Sequence, residues 1–137
     1  MNLTIDENAD ARKSYIVSLV DVRSLKLPFF YFGDILPLYV QVGDGEGGLS
    51  SFNGRADVIL VAGIGDPATR SVYGQTNLTW NGQSYYGELD LDTQALSDAI
   101  TTEEKISSFF EVNATFYGGD RHTLLQQDIT IRNQLIQ

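Results

Sequence analysis

The sequence predicts an all-β domain, an antiparallel two-sheet β-sandwich with one short helix. Three observations predict it. Apolar and polar residues alternate with period two in segments spread along the whole chain, the pattern of half-buried strands. Turn chemistry separates those segments, most clearly at Asn81-Gly82 and at Gly118-Gly119-Asp120. Helical spacing of apolar residues occurs in a single short stretch.

Taken in order, residues 15 to 22 place Tyr15, Val17 and Leu19 on one face and Ile16, Ser18 and Val20 on the other. In residues 36 to 42, Leu36, Leu38, Val40 and Val42 share a face, with Tyr39 and Gln41 opposite. Residues 57 to 62 are apolar on both faces after Asp57, as a central strand should be. Leu78 and Trp80 share a face around Thr79, and Asn81-Gly82 then joins residues 77–80 to residues 84–91 as a hairpin. A type I′ turn needs positive φ at both central positions, which Asn and Gly tolerate best. Near the C-terminus Phe110, Val112, Ala114 and Phe116 alternate with Glu111, Asn113 and Thr115. The Gly118-Gly119-Asp120 turn leads into residues 122–131, where Leu125, Ile129 and Ile131 share a face. Seven or eight such strands fit an Ig-like or jelly-roll-like sandwich, or a partly open barrel.

Asp92 and Thr93 are placed to cap a helix over residues 94–100, where Ala95, Leu96, Ala99 and Ile100 fall at helical spacing. So short a helix is expected to plug one end of the sandwich or bridge its sheets. Five glycines among the twelve positions 43–54 predict a flexible loop. Residues 1–13 read as an N-terminal arm and residues 14–137 as one domain, a size that buries roughly 68% of the unfolded surface.

The 137 residues carry a net charge of −9 and no cysteine, so disulfides and thiolate metal sites are excluded. A cysteine-free chain fits a reducing compartment. No basic residue lies between Arg70 and Lys105, whereas Glu88, Asp90, Asp92, Asp98, Glu103 and Glu104 do. Such a field repels phosphate backbones, which argues against a nucleic-acid partner. It keeps a domain soluble or offers a docking face to a basic surface. No apolar run reaches the ~20 residues that span a bilayer, and the polar, acidic stretch from Met1 to Arg12 lacks the form of a signal peptide.

No group of residues names a reaction. His122 is the only histidine, and it flanks a turn where exposure is expected. A zinc site lacks further nitrogen or sulfur ligands. Asp90 and Asp92 share a strand end, and Asp44 and Glu46 sit in the glycine-rich loop; each pair has too few oxygens for Ca²⁺ by itself. That loop also lacks the Lys-Ser/Thr ending of a phosphate-binding loop. Neither a cofactor nor a metal is expected.

Aromatic residues carry more information. Phe29, Phe30, Tyr31 and Phe32 run consecutively after Pro28, so an extended backbone cannot turn all four rings to one side. They form either a strand buried on both faces or an interface rich in contact hot spots. Trp80, Tyr85 and Tyr86 cluster at the Asn-Gly hairpin. Trp80 is expected in the core, while Tyr85 and Tyr86 point to opposite faces and leave one ring free to stack on a sugar.

Three stretches resemble the small β-sandwich modules of tailed-bacteriophage tail and baseplate proteins, the N-terminal domain of upper baseplate proteins and tail fibres. They are Phe32-Gly33-Asp34-Ile35-Leu36-Pro37-Leu38, Tyr86-Gly87-Glu88-Leu89-Asp90-Leu91 before the short helix, and the closing Leu124-Leu125-Gln126-Gln127-Asp128-Ile129-Thr130-Ile131. The resemblance implies a non-enzymatic virion component, made in the bacterial cytoplasm, that docks onto other tail proteins as a homo-oligomer, typically a trimer. The alternative is a carbohydrate-binding module using Trp80, Tyr85 or Tyr86. Neither nucleic acid nor membrane is expected as a partner.

Overall fold

The computed structural model describes residues 1–6, 30–43, 48–49, 53–116, 119 and 121–134. The strand expected over 15–22, Phe29, Asp44, Glu46 and the side chain of His122 lie outside the described residues. In chain order the elements are β1 (Asn2–Asp6), β2 (Phe30–Tyr31), β3 (Ile35–Gly43), β4 (Val58–Gly65), β5 (Val72–Trp80), β6 (Tyr85–Asp90), α1 (Gln94–Ile100), β7 (Lys105–Phe116) and β8 (Arg121–Arg132).

The all-β expectation holds, with one short helix. The strands form one curled eight-stranded sheet in the order β1-β3-β6-β5-β4-β7-β8-β2. It is mixed rather than antiparallel, because β1 runs parallel to β3 and β2 parallel to β8. Parallel neighbours cannot be joined by a tight turn, so no local signal marks the pairing.

The curl is made at β5. Residues 72–78 of β5 pair with β4, but its last two residues, Thr79 and Trp80, pair with Tyr86 and Tyr85 of β6. The strand thus passes from one half of the sheet to the other, and the two halves close over a common core. Gly87 makes this passage possible. A Cβ there would lie 2.6 Å from the Asn77 carbonyl oxygen and 2.6 Å from Leu78 Cδ2, closer than any side chain allows.

Segment 30–35 closes the open side. Phe32 N donates to Arg132 O at the β8 edge, and Gly33 N donates to Leu91 O just beyond β6. Leu91 N returns a bond to Asp34 O, and the Gln134 amide reaches the Asp34 carboxylate at 2.7 Å. The core between the halves includes Leu38, Val40, Leu60, Leu78, Leu89, Phe110 and Leu125, all fully buried.

Residues 2–6, expected within a loose arm, are a sheet strand. Leu3 and Ile5 are buried in the core at 2% and 0% exposure, and the strand adds to β3 from Tyr39 to Gly43. Its Leu-Thr-Ile alternation is a strand pattern only two apolar positions long, masked by the acidic residues that follow.

Both expected hairpins are present, but the first has a different turn. Trp80 pairs with Tyr85, leaving residues 81–84 as the connection. Only Gly82 has positive φ (102°), so the turn is not type I′. Asn81 instead keeps an ordinary backbone, and its side-chain oxygen accepts from the N–H groups of Gln83 and Ser84, both at 2.9 Å. This side-chain turn supplies what a second positive φ would otherwise provide.

Helix α1 spans Gln94–Ile100 as the pattern predicts, and Thr93 is its cap. Thr93 Oγ1 accepts from Leu96 N at 3.2 Å and donates to the Tyr73 carbonyl, which ties the helix start to β5. Leu96 and Ile100 are buried beneath it, whereas Ala95 is exposed. Truncating either buried residue to Ala would cost about 2–5 kcal/mol.

Candidate functional site

The phase of β3 decides what the sheet shows to solvent. Burying Leu38, Val40 and Val42 turns Ile35, Pro37, Tyr39 and Gln41 outward. Ile35 is 62% exposed and Tyr39 36% exposed. Register then places β6 residues beside them: Asp90 opposite Ile35, Glu88 opposite Pro37 and Tyr86 opposite Tyr39. The Tyr39 and Tyr86 rings lie 5.0 Å apart with planes tilted by 40°. Tyr86 OH donates to Glu88 Oε1 at 2.9 Å. That bond, with lesser contributions from burial and the Glu88 charge, holds the phenol above its usual pKa.

The result is an apolar strip of Ile35, Pro37, Tyr39 and Tyr86 edged by Glu88 and Asp90. Pro37 is tolerated in this strand for a geometric reason. Tyr39 N points toward β1, where it donates to Met1 O at 2.9 Å, so the nitrogen of Pro37 points the same way. Strand β1 pairs only from Tyr39 onward, so the missing N–H removes no ladder bond. The same proline blunts this edge against strand addition.

The aromatic run is divided as an extended backbone requires. Phe30 is buried at 2% exposure and meets Phe110 edge-on with ring centroids 5.8 Å apart. Tyr31 points outward at 40% exposure, and Phe32 packs partly against the core. Residues 31–34 turn directly into β3, with Asp34 N donating to Tyr31 O at 3.3 Å. Tyr31 therefore stands at the entrance to the strand that carries the strip, while Phe30 has no surface left for a partner.

Trp80 and Tyr85 are committed elsewhere. Tyr85 is 1% exposed, its rings meet Trp80 at 5.1 Å, and its hydroxyl accepts from Gly54 N at 3.1 Å. Burial pushes its phenol pKa up. Trp80 packs over Gly54 so closely that a Cβ there would lie 3.0 Å from its indole nitrogen. Asn53 completes the clamp by bonding both backbone groups of Val42, at 3.0 and 2.7 Å. Of the three rings named for sugar stacking, Tyr85 is buried, Trp80 is half-buried against the core and Tyr86 is half-buried on the outer face of the sheet.

Of the acidic candidates, Asp90 Oδ1 accepts from Asp92 N at 2.8 Å at the end of β6. Among the described residues no three His, Cys, Asp or Glu side chains group as metal ligands. No described helix is long and apolar enough to cross a membrane.

Sequence reasoning singles out the Phe29–Phe32 run and the hairpin aromatics but passes over Ile35 and Pro37. The signal was present in the alternation itself, since the phase that buries Leu36, Leu38 and Val40 exposes the residues between them. Comparison with protein-family models, with curated proteins and with solved structures gave no match, so the function must be argued from the geometry of this face.

Proposed function

We propose that this chain is a non-catalytic structural or adaptor component of a phage virion, a tail, baseplate or tail-fibre attachment domain that assembles with other proteins. One observation carries the assembly role: the apolar strip of Ile35, Pro37, Tyr39 and Tyr86 on the outer face of β3 and β6. Aromatic and aliphatic side chains massed on one solvent-facing patch, with a charged margin, form the usual anatomy of a contact site. The virion setting comes from the resemblance of the three sequence stretches. For assembly, the curled sheet acts as a two-layer sandwich whose β1-β3-β6 layer presents the strip. A trimer of this chain, with Tyr31 beside the strip, is the arrangement we favour.

Light scattering behind a sizing column, across a range of concentrations, tests this. Self-association that Tyr39→Ala and Ile35→Ser abolish supports it. A monomer at every concentration, with no affinity for any co-encoded tail protein, defeats it.

The tilted Tyr39–Tyr86 pair favours a second function, a carbohydrate-binding module that stacks a sugar on the strip. A glycan array on which Tyr39→Ala and wild type give the same background signal removes it.

A further inference from the structure

The other half of the sheet has a different outer face. Its cross-strand rows are Gln75, Gly63, Glu111 and Gln126, and next to it Asn77, Val61, Asn113 and Thr123. Gly63 has no side chain to fill its place in the first row. A recess of about 220 Å³ opens there, with Val61, Ile64, Val72 and Phe109 as its apolar lining.

Three polar side chains around this recess lack partners among the described residues. Asn113 Oδ1 is buried without a hydrogen bond. The exposed Gln75 amide and the Arg121 guanidinium line the recess, and neither takes part in any of the side-chain hydrogen bonds or ion pairs of the described residues. Asn113 Oδ1 is closed off from solvent, so Gln75 and Arg121 are the side chains of the recess left open to a ligand.

Arg70, by contrast, is fixed. Its φ of 65° is the only positive value among the described non-glycine residues. Its guanidinium lies 4.7 Å from the Phe109 ring centroid and 4.0 Å from Glu111. With the Gln126 amide turned to present its oxygen, both Arg70 Nη atoms donate to it at 3.0 and 3.1 Å. Strained backbone held by such contacts is a feature of ligand sites. Arg70 also offsets Glu111, the one carboxylate among the described residues that line the recess, which further accepts from Thr123 Oγ1 at 3.4 Å. Among the described residues that line the recess, Arg121 is then the cation left to attract an anion, in a chain whose net charge is −9.

We propose that this recess binds an acidic sugar, one monosaccharide ring bearing a carboxylate. Arg121 takes the carboxylate, since a guanidinium pairs with it in two parallel hydrogen bonds. The Gln75 amide can donate to or accept from a ring hydroxyl. Val61 and Val72 meet the C–H edge of the ring. The volume is below the roughly 300–1,000 Å³ typical of pockets for drug-sized ligands, which suits one ring rather than a nucleotide.

The test is a titration of ¹⁵N-labelled protein with glucuronate, glucose and acetate, followed by amide chemical shifts. Saturable shifts with glucuronate, centred on Gly63, Gln75 and Asn113 and much weaker with the other two ligands, are expected. Arg121→Gln should weaken glucuronate binding by about 10- to 100-fold, the loss of one charge-assisted hydrogen-bonded pair. Gln75→Ala should weaken it less, and Tyr39→Ala on the other face should leave it unchanged. Both Arg121 and Gln75 are exposed, so unchanged thermal melting of their variants shows that the fold is intact. The proposal fails if glucuronate gives no saturable shift, if acetate or glucose binds as well, or if Arg121→Gln binds like wild type.

Discussion

The two outer faces of this one sheet differ in what they leave unfinished. On β3 and β6 the outward positions hold Ile35, Pro37, Tyr39 and Tyr86, so the incomplete business is apolar area in water. On β4, β5, β7 and β8 the outward positions hold Gln75, Asn113, Glu111 and Gln126, and there it is the hydrogen bonding of Gln75 and Asn113 that is incomplete among the described residues. The inner faces of both halves are alike, built from Leu, Val, Ile and Phe. Core chemistry therefore does not distinguish the halves. The outward residues are free of the core's demands, and there the two can specialise.

The comparison breaks most severely if the joint between the halves is disturbed. Gly87→Ala puts a Cβ against the Asn77 carbonyl and Leu78, and the backbone atom cannot swing aside. We expect a loss of about 3 kcal/mol, the upper part of the usual overpacking range, seen as a lower urea midpoint. A midpoint equal to wild type would show that β5 and β6 do not approach this closely at the handover.

Next in size is an effect confined to one face. Replacing Tyr39 by Ala should reduce affinity for a protein partner by about 2 kcal/mol, in the range of a contact hot spot, while the urea midpoint shifts little. Partner affinity and stability falling together would mean that the Tyr39–Tyr86 pair supports the sheet more than it serves binding.

A smaller effect belongs to the loop beside the polar face. Asp66 Oδ1 accepts from Ala68 N at 2.8 Å and Thr69 N at 3.4 Å, and these backbone bonds lower its pKa from 3.8. A carboxylate whose pKa is depressed in the folded state stabilises above its unfolded pKa and loses that contribution as pH falls through the folded value. Asp66→Asn should therefore lower the melting temperature at neutral pH and have less effect at a pH well below 3.8. Equal shifts at both pH values would point to lost packing instead of lost charge.

The smallest expected change is at Tyr86. Tyr86→Phe removes the bond to the exposed Glu88 and should leave the urea midpoint close to that of wild type. It should also remove from the absorbance titration a tyrosine that ionises above the usual value of 10.0. If partner binding survives this change but not Tyr39→Ala, the strip acts through its apolar area rather than through the phenol hydroxyl.

Much of this molecule was legible in order along the chain. The alternation of Leu38, Val40 and Val42 gave β3 its inward face, and Leu96 with Ile100 gave α1 its length and its buried side. Asn81-Gly82 announced a hairpin but not its geometry, because the Asn side chain can replace a backbone conformation by accepting two N–H bonds. The polar recess was invisible. Gly63, Gln75, Asn113 and Arg121 lie on four strands, and only the register brings them side by side.

By itself, then, the sequence determined the all-β character, the helix, the two hairpins and the inward residues of β3, of the 110–116 part of β7 and of β8. Those features depend on neighbours within a few positions, where period and turn chemistry act. Tertiary structure decided the parallel pairings of β1 and β2, the passage of β5 between the halves, and the partition of the aromatic run into Phe30 inside and Tyr31 outside. It also decided that Trp80 and Tyr85 hold Gly54 while Tyr39 and Tyr86 lie side by side on the outer face. Each of these depends on which remote segment covers a given face or edge. Such a choice is set by the closure of the whole sheet over its core, and no local pattern carries it.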